Sequence, residues 1–305
     1  GLFERDEQDK PKSKFPKENF KELFDFYSRY NFTIDENDPD DVEVGVDPEM
    51  LGHIFEGLLE DNKDKGTFYT PKEIVQYMSV ESVAQYLKTH TKKVLHTAID
   101  ELIKDRKVSE VLRDKEVANN IYKLLQDVKV CDPAIGSGAY PMGVLNVLFN
   151  SRRLLYKYIG SPVEFSSVAV KKEIIQNNIY GVDIEKGAID IARLRFWLAL
   201  VVDAEKQEAL PNLDYKFMQG NSLIESYSGI DMSRIANGKV KPKDLKNNQL
   251  LLGLDGDYCE KHLQLLMRKY FSIDDHTEKN NLRKDINDTV KGLLINSLGG
   301  TPSEI

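Results

Sequence analysis

The run Val130-Cys131-Asp132-Pro133-Ala134-Ile135-Gly136-Ser137-Gly138-Ala139-Tyr140 constrains this chain more than any other stretch. A short β-branched lead, Val128 to Val130, enters it, and an apolar, helix-compatible run, Met142 to Leu155, leaves it. The pattern predicts a strand, a tight glycine loop and a helix start. Gly136 and Gly138 let backbone approach a ligand where a Cβ would clash. The first turn of the following helix offers unbonded N–H groups. Asp132 falls at the C-terminal end of the strand, the edge at which open α/β sheets take their ligands.

A carboxylate beside such a loop suits a ligand carrying an amine and repels a diphosphate. A dinucleotide site would want Gly-x-Gly-x-x-Gly around the pyrophosphate, and Asp132 beside the loop has the wrong charge for it. The charge points instead to S-adenosylmethionine, whose amino-acid end is cationic at its amine. A capped turn would explain this loop by itself, but three further motifs accompany it.

Ile179-Tyr180-Gly181-Val182-Asp183-Ile184 reads as a second strand ending in an acid. One carboxylate there can accept from both hydroxyls of a ribose, and Ile184 follows where an adenine face would lie. Met218-Gln219-Gly220-Asn221-Ser222-Leu223 follows a third strand, and Asn221 offers a donor and an acceptor to a base edge. Gly-Asn-Ser is also ordinary turn chemistry. Upstream lies Gly66-Thr67-Phe68-Tyr69-Thr70-Pro71. Thr70 is expected as an N-cap, Pro71 at the first helical position and Glu73 as the closing partner of a capping box. A helix N-terminus favours a carboxylate, and aromatic rings pack well beside a sulfonium.

The string Asp-Pro-Ala-x-Gly-Ser-Gly at 132–138 resembles the first motif of the amino-methyltransferases that act on adenine in DNA. Asp183, the Gly220-to-Leu223 turn and the Phe68-to-Pro71 segment are similar to that family's further motifs, in the expected order. Phe24 to Glu60 and the Arg193 to Leu200 helix resemble the large fused type II restriction-modification enzymes. Those chains join a nuclease, a helical linker, an adenine-N6 methyltransferase and a target-recognition domain.

The resemblance implies an α/β chain with a Rossmann-like, S-adenosylmethionine-dependent methyltransferase sheet. An all-helical lobe (1–127) precedes the cofactor-binding core (128–230), and a basic loop with a helical insertion (231–305) follows it. It implies cofactor contacts from Phe68, Tyr69, Thr70, Pro71, Asp132, Pro133, Ala134, Gly136, Ser137, Gly138, Asp183, Ile184, Asn221 and Ser222. DNA is the implied substrate. The family's catalytic motif, Asn/Asp/Ser-Pro-Pro-Tyr/Phe, positions a flipped base, yet this chain has no adjacent prolines. No catalytic residue is therefore nominated, and the chain by itself is expected to be inactive in methyl transfer. A noncatalytic methyltransferase-like scaffold and an RNA or protein amino-methyltransferase are the alternatives.

Other elements are read from periodicity. Helices are expected at 15–30, 48–59, 70–87, 139–159, 162–176 and 187–202, and over most of 258–298. Val94 to Asp127 reads as helical, with charged interruptions at 104–107 and 113–116. Strands are expected at 128–132, 178–183 and 215–219, and their alternation with helices predicts a parallel, doubly wound sheet. The chain has 305 residues and a net charge of −8. That balance disfavours DNA binding through this chain alone, since nonspecific affinity comes from neutralised phosphates. The main DNA contacts are therefore expected in other parts of the parent protein, and the lysines at 239–246 read as a solvated loop. Two cysteines and five scattered histidines suggest neither a disulfide framework nor a metal site. Cys131 is expected as a small core residue. No membrane span and no signal sequence is read, so a cytoplasmic location is expected, and the absence of an initiator Met suggests an excised fragment.

Overall fold

The computed structural model describes residues 17–27, 70–202, 211, 213, 215–224, 226–227, 230–231, 262–263, 265–270, 273 and 276–298. In chain order the helices are α1 (Lys17–Tyr27), α2 (Lys72–Thr89), α3 (His96–Ile103), α4 (Lys115–Asp127), α5 (Ala139–Tyr156), α6 (Ser167–Asn177), α7 (Lys186–Val201) and α8 (His276–Leu298). The strands are β1 (Val130–Asp132), β2 (Ile179–Asp183), β3 (Phe217–Gln219) and a small pair, β4 (Ser226–Tyr227) and β5 (Ile230–Asp231). The expected helix at 48–59 and the basic stretch at 239–246 lie outside the described residues.

Local chemistry sets several boundaries. Asp114 caps α4, its Oδ1 accepting from the N–H groups of Glu116 and Val117 at 3.0 Å each. Ser166 caps α6 by accepting from Ala169 N–H at 3.3 Å. Buried Asn178 gathers the other end of α4: its amide nitrogen donates to the carbonyls of Leu125, Gln126 and Val128. Those carbonyls are ones that a helix leaves without an internal partner. One expectation is corrected here. Helix α2 has Pro71 as its N-cap, in an extended conformation (ψ 143°), and no side chain caps it. Extended Pro71 starts the helix one residue later than expected, so Thr70 is not the cap and no capping box forms.

The three main strands run parallel in the order β1-β2-β3. Asp132 lies beside Gly181, and Gly181 beside Phe217. Helices α5 and α6 make the first crossover and α7 the second. One face of the sheet, bearing Ile179, Gly181 and Phe217, is buried beneath them. The opposite face carries Cys131, Tyr180, Val182 and Met218, and Cys131 is exposed. This corrects the core placement of Cys131: a two-residue period puts it on the face away from the helices. The described strands progress in one direction, giving a small parallel three-stranded sheet within an α/β fold.

A single core runs through helices and sheet, from Leu87, Ile99, Leu102 and Leu125 to Leu145, Leu148, Ile174, Phe196 and Phe217. Within it Arg152 is fully buried, pairs with Glu173 at 2.6 Å and stacks over the Tyr122 ring at 5.0 Å. That set ties α4, α5 and α6 together. A second, small cluster joins Leu266 and Tyr270 to Leu282 and Ile286 of α8, with Tyr215 against it. Helix α1 exposes Phe20, Leu23 and Phe24.

Gly181 is in the middle of β2 because Ile135, on the loop above, occupies the space a side chain would need. A Cβ at Gly181 would meet the Cδ1 of Ile135 and lie 3.0 Å from its Cβ. Gly181→Ala is expected to destabilise the fold by about 1–3 kcal/mol, the usual cost of overpacking, and Gly181→Val by more. Urea denaturation monitored by circular dichroism measures both.

Candidate functional site

Parallel pairing brings the C-terminal ends of β1, β2 and β3 to one edge, and the loops leaving them are bonded to one another. From β1, the Asp132 carboxylate turns back to accept from Ala134 N–H at 3.0 Å. Ile135 N–H donates to the Val182 carbonyl at 3.0 Å, extending the sheet by one bond. Gly136 and Gly138 have positive φ, 53° and 87°, a conformation that suits glycine. At Gly138 a Cβ would be 3.2 Å from that of Ala192, so α7 packs directly against the loop. At Gly136 a Cβ would meet nothing among the described residues within 4 Å, so among them the loop's outer side is open.

From β2, Asp183 binds the glycine loop. Its Oδ2 accepts from Gly136 N–H at 2.8 Å, and its Oδ1 accepts from Glu185 N–H at 2.9 Å. Each carboxylate oxygen has a second lone pair for a further donor. From β3, Ser222 Oγ donates to the Pro133 carbonyl at 2.7 Å, and Gln219 Nε2 donates to the Ile184 carbonyl at 3.0 Å. A shallow ledge results, with two carboxylates, an open glycine loop and the exposed side chain of Ile184. Burial, reinforced by the charge of Asp183, pushes the Asp132 carboxyl above its ordinary value, and the Ala134 N–H only partly offsets this. Against the sheet face that bears Tyr180, burial and the neighbouring Lys129 bring Lys216 down to about 8. Its ammonium sits 3.8 Å over the Tyr180 ring.

The structure thus brings together Asp132, Pro133, Ala134, Gly136, Ser137, Gly138, Asp183, Ile184 and Ser222 of the residues singled out in the sequence. Asn221 adjoins them, with its Oδ1 accepting from Leu223 N–H in a side-chain turn. Thr70 and Pro71 lead into α2, while Phe68 and Tyr69 lie outside the described residues. Between α2 and α5 lies a cavity of about 120 Å³ that reaches from Lys72 and Val75 to Ala139, Asn146 and Arg195. Among the described residues no group of three or more His, Cys, Asp or Glu could hold a metal ion. No helix among them is long and apolar enough to cross a membrane.

Three residues at the site escape a motif-based reading. Ile135 is the wildcard position of the first motif, yet it is buried against Gly181. Gln219 lies in the third motif but before the Gly220-to-Leu223 turn that carries the resemblance, and no role was read for it. Arg195 lies in the helix expected at 187–202, and it reaches the glycine loop. A cation spaced three and four residues from Ala192 and Ala199 was the available signal, because that spacing puts it on the buried face.

No protein-family model matches the chain. It is 27% identical over 321 residues to a Methanocaldococcus jannaschii protein named as a type II restriction enzyme and methyltransferase. That alignment covers 91% of this chain and 27% of the relative, so the chain spans about a quarter of the relative's length.

The raised carboxyl of Asp132 carries a stability consequence. A carboxyl whose pKa rises on folding is costlier to ionise in the folded state, and acid relieves that cost. Asp132→Asn keeps an oxygen for Ala134 N–H while removing the charge. Its melting temperature is expected to equal or exceed the wild-type value at pH 7. The difference should shrink as the pH falls toward 4, as thermal melts across that range will measure.

Proposed function

We propose that this region is the S-adenosylmethionine-binding part of a DNA adenine-N6 methyltransferase belonging to a restriction-modification system. The observation that carries the reading is the paired carboxylate ledge. Asp132 and Asp183 end adjacent parallel strands on either side of an open glycine loop. The relative's name supports methyl transfer and restriction-modification, and the adenine-specific reading rests on the motif resemblance.

The donor set suits that cofactor. Asp132 offers a desolvated negative charge to its ammonium group, at an edge from which a diphosphate would be repelled. Asp183 has acceptor capacity for ribose hydroxyls while it holds Gly136. Ile184 presents an exposed apolar side chain to a base. The N-terminal turn of α5 supplies N–H groups and the positive end of a helix dipole to a carboxylate. When bound, the cofactor supplies an electrophilic methyl group, and the chain's own part is to orient it and to limit water around it.

The family's target-holding Pro-Pro segment is absent from these 305 residues. Within this reading, the region binds cofactor, and the amine of the flipped base is positioned by sequence elsewhere in the protein. Location in the cytoplasm, where such systems meet DNA, belongs to the same proposal.

Calorimetric titration of S-adenosylmethionine is the direct test. Saturable binding is expected, weakened about tenfold or more in Asp183→Ala and in Asp132→Asn, as for loss of a charged hydrogen-bonding partner. Undiminished affinity in both folded variants would overturn the site. In the full-length protein, transfer of labelled methyl from the cofactor to adenine N6 in duplex DNA is expected. Labelled RNA or protein in place of DNA would favour the alternative amino-methyltransferase, and binding without any transfer would favour the scaffold.

A further inference from the structure

Arg195 occupies the buried face of α7 and is 5% exposed. Its neighbours on that face, Ala192, Phe196 and Ala199, are apolar and buried. A guanidinium among them is costly unless hydrogen bonds compensate for its lost hydration. Its Nη1 donates to the carbonyl of Ser137 at 3.0 Å and to the Ser137 hydroxyl at 3.2 Å. Ser137, also 5% exposed, lies between the two positive-φ glycines of the loop.

The placement gives those bonds a specific effect. Glycines leave the loop many backbone states, and three contacts restrict them. Asp183 takes the N–H of Gly136. The Ile135 carbonyl takes the N–H of Gly138 at 2.9 Å. Arg195 takes the carbonyl of Ser137, the other side of the same Ser137–Gly138 peptide. That peptide plane is gripped on both edges, and it leads directly into the first turn of α5. A single guanidinium nitrogen carries two hydrogens in a fixed plane and can serve both Ser137 acceptors, which an ammonium on a flexible stem does less well.

We propose that Arg195 is a positioning residue for the glycine loop, fixing the Ser137–Gly138 peptide from beneath so that the first N–H groups of α5 point to the cofactor's carboxylate. The affinity part of this inference rests on the cofactor reading above, whereas the loop-ordering part does not.

The test uses Arg195→Met, Arg195→Lys and Ser137→Ala in the full-length protein. Hydrogen exchange of a peptide spanning Gly136 to Ala139 reads loop order without any ligand. Arg195→Met is expected to speed that exchange about tenfold while peptides from α4 and α6 stay at the wild-type rate. The KM for S-adenosylmethionine should rise about tenfold with kcat held within about twofold, as for loss of binding without loss of chemistry. Arg195→Lys should recover only part of both effects, and Ser137→Ala should show a smaller version of each. Unchanged loop exchange in folded Arg195→Met overturns the proposal, and so does exchange that accelerates equally throughout the core. If Arg195→Met fails to fold, the lysine and alanine variants decide by the same two readouts. If wild-type protein does not bind the cofactor, the reading of the site fails, while loop exchange still decides the role of Arg195.

Discussion

Ile135 turns back from the end of the first strand and lies on the bare backbone of Gly181 in the second. Its N–H bonds to Val182 and its side chain enters the core. The remaining features of the ledge depend on that seat. It brings Gly136 within reach of Asp183, and it delivers Gly138 against Ala192, where α5 can begin. With a side chain at position 181, the loop would ride higher and the contact between the two strand ends would open.

Much of this was legible in the residues. The strand-loop-helix sequence around Asp132 was read correctly because each element leaves its own mark: β-branched lead, paired glycines, apolar helix. The outer limits of the strands were less legible. Val128 was expected in β1, but its N–H closes the last turn of α4 on Leu124. The residues before Phe217 were expected in β3, but Lys216 and Phe217 both donate to the Leu213 carbonyl in a turn. In each case a neighbouring element claims the backbone group that a strand would have used, and propensity alone does not decide that competition. The charged interruption at 104–107 marks where the chain leaves α3, whereas the one at 113–116 holds the N-cap and the first residues of α4. Arg106 has a positive φ of 54° just after α3, a helix-ending conformation for which glycine is the usual signal.

Side-chain roles were harder to read than chain path. Asp183 and Asn221 were singled out as ligand groups, and the structure shows each also accepting hydrogen bonds from backbone. Those backbone bonds tie both side chains to loop geometry, which a motif does not record. Arg195 was hidden because a motif records which residues approach a ligand, not which ones hold the loop from behind.

The face of the sheet that bears Cys131 has a consequence in sulfur chemistry. Cys131 is exposed one residue before the ledge's carboxylate, yet burial of its sulfur and the charge of Asp132 both raise its pKa. At neutral pH the group is overwhelmingly thiol, and oxidants and alkylating agents react with thiolate. The first strand therefore carries an exposed cysteine close to a candidate ligand site, with its reactivity held below that of an ordinary surface thiol.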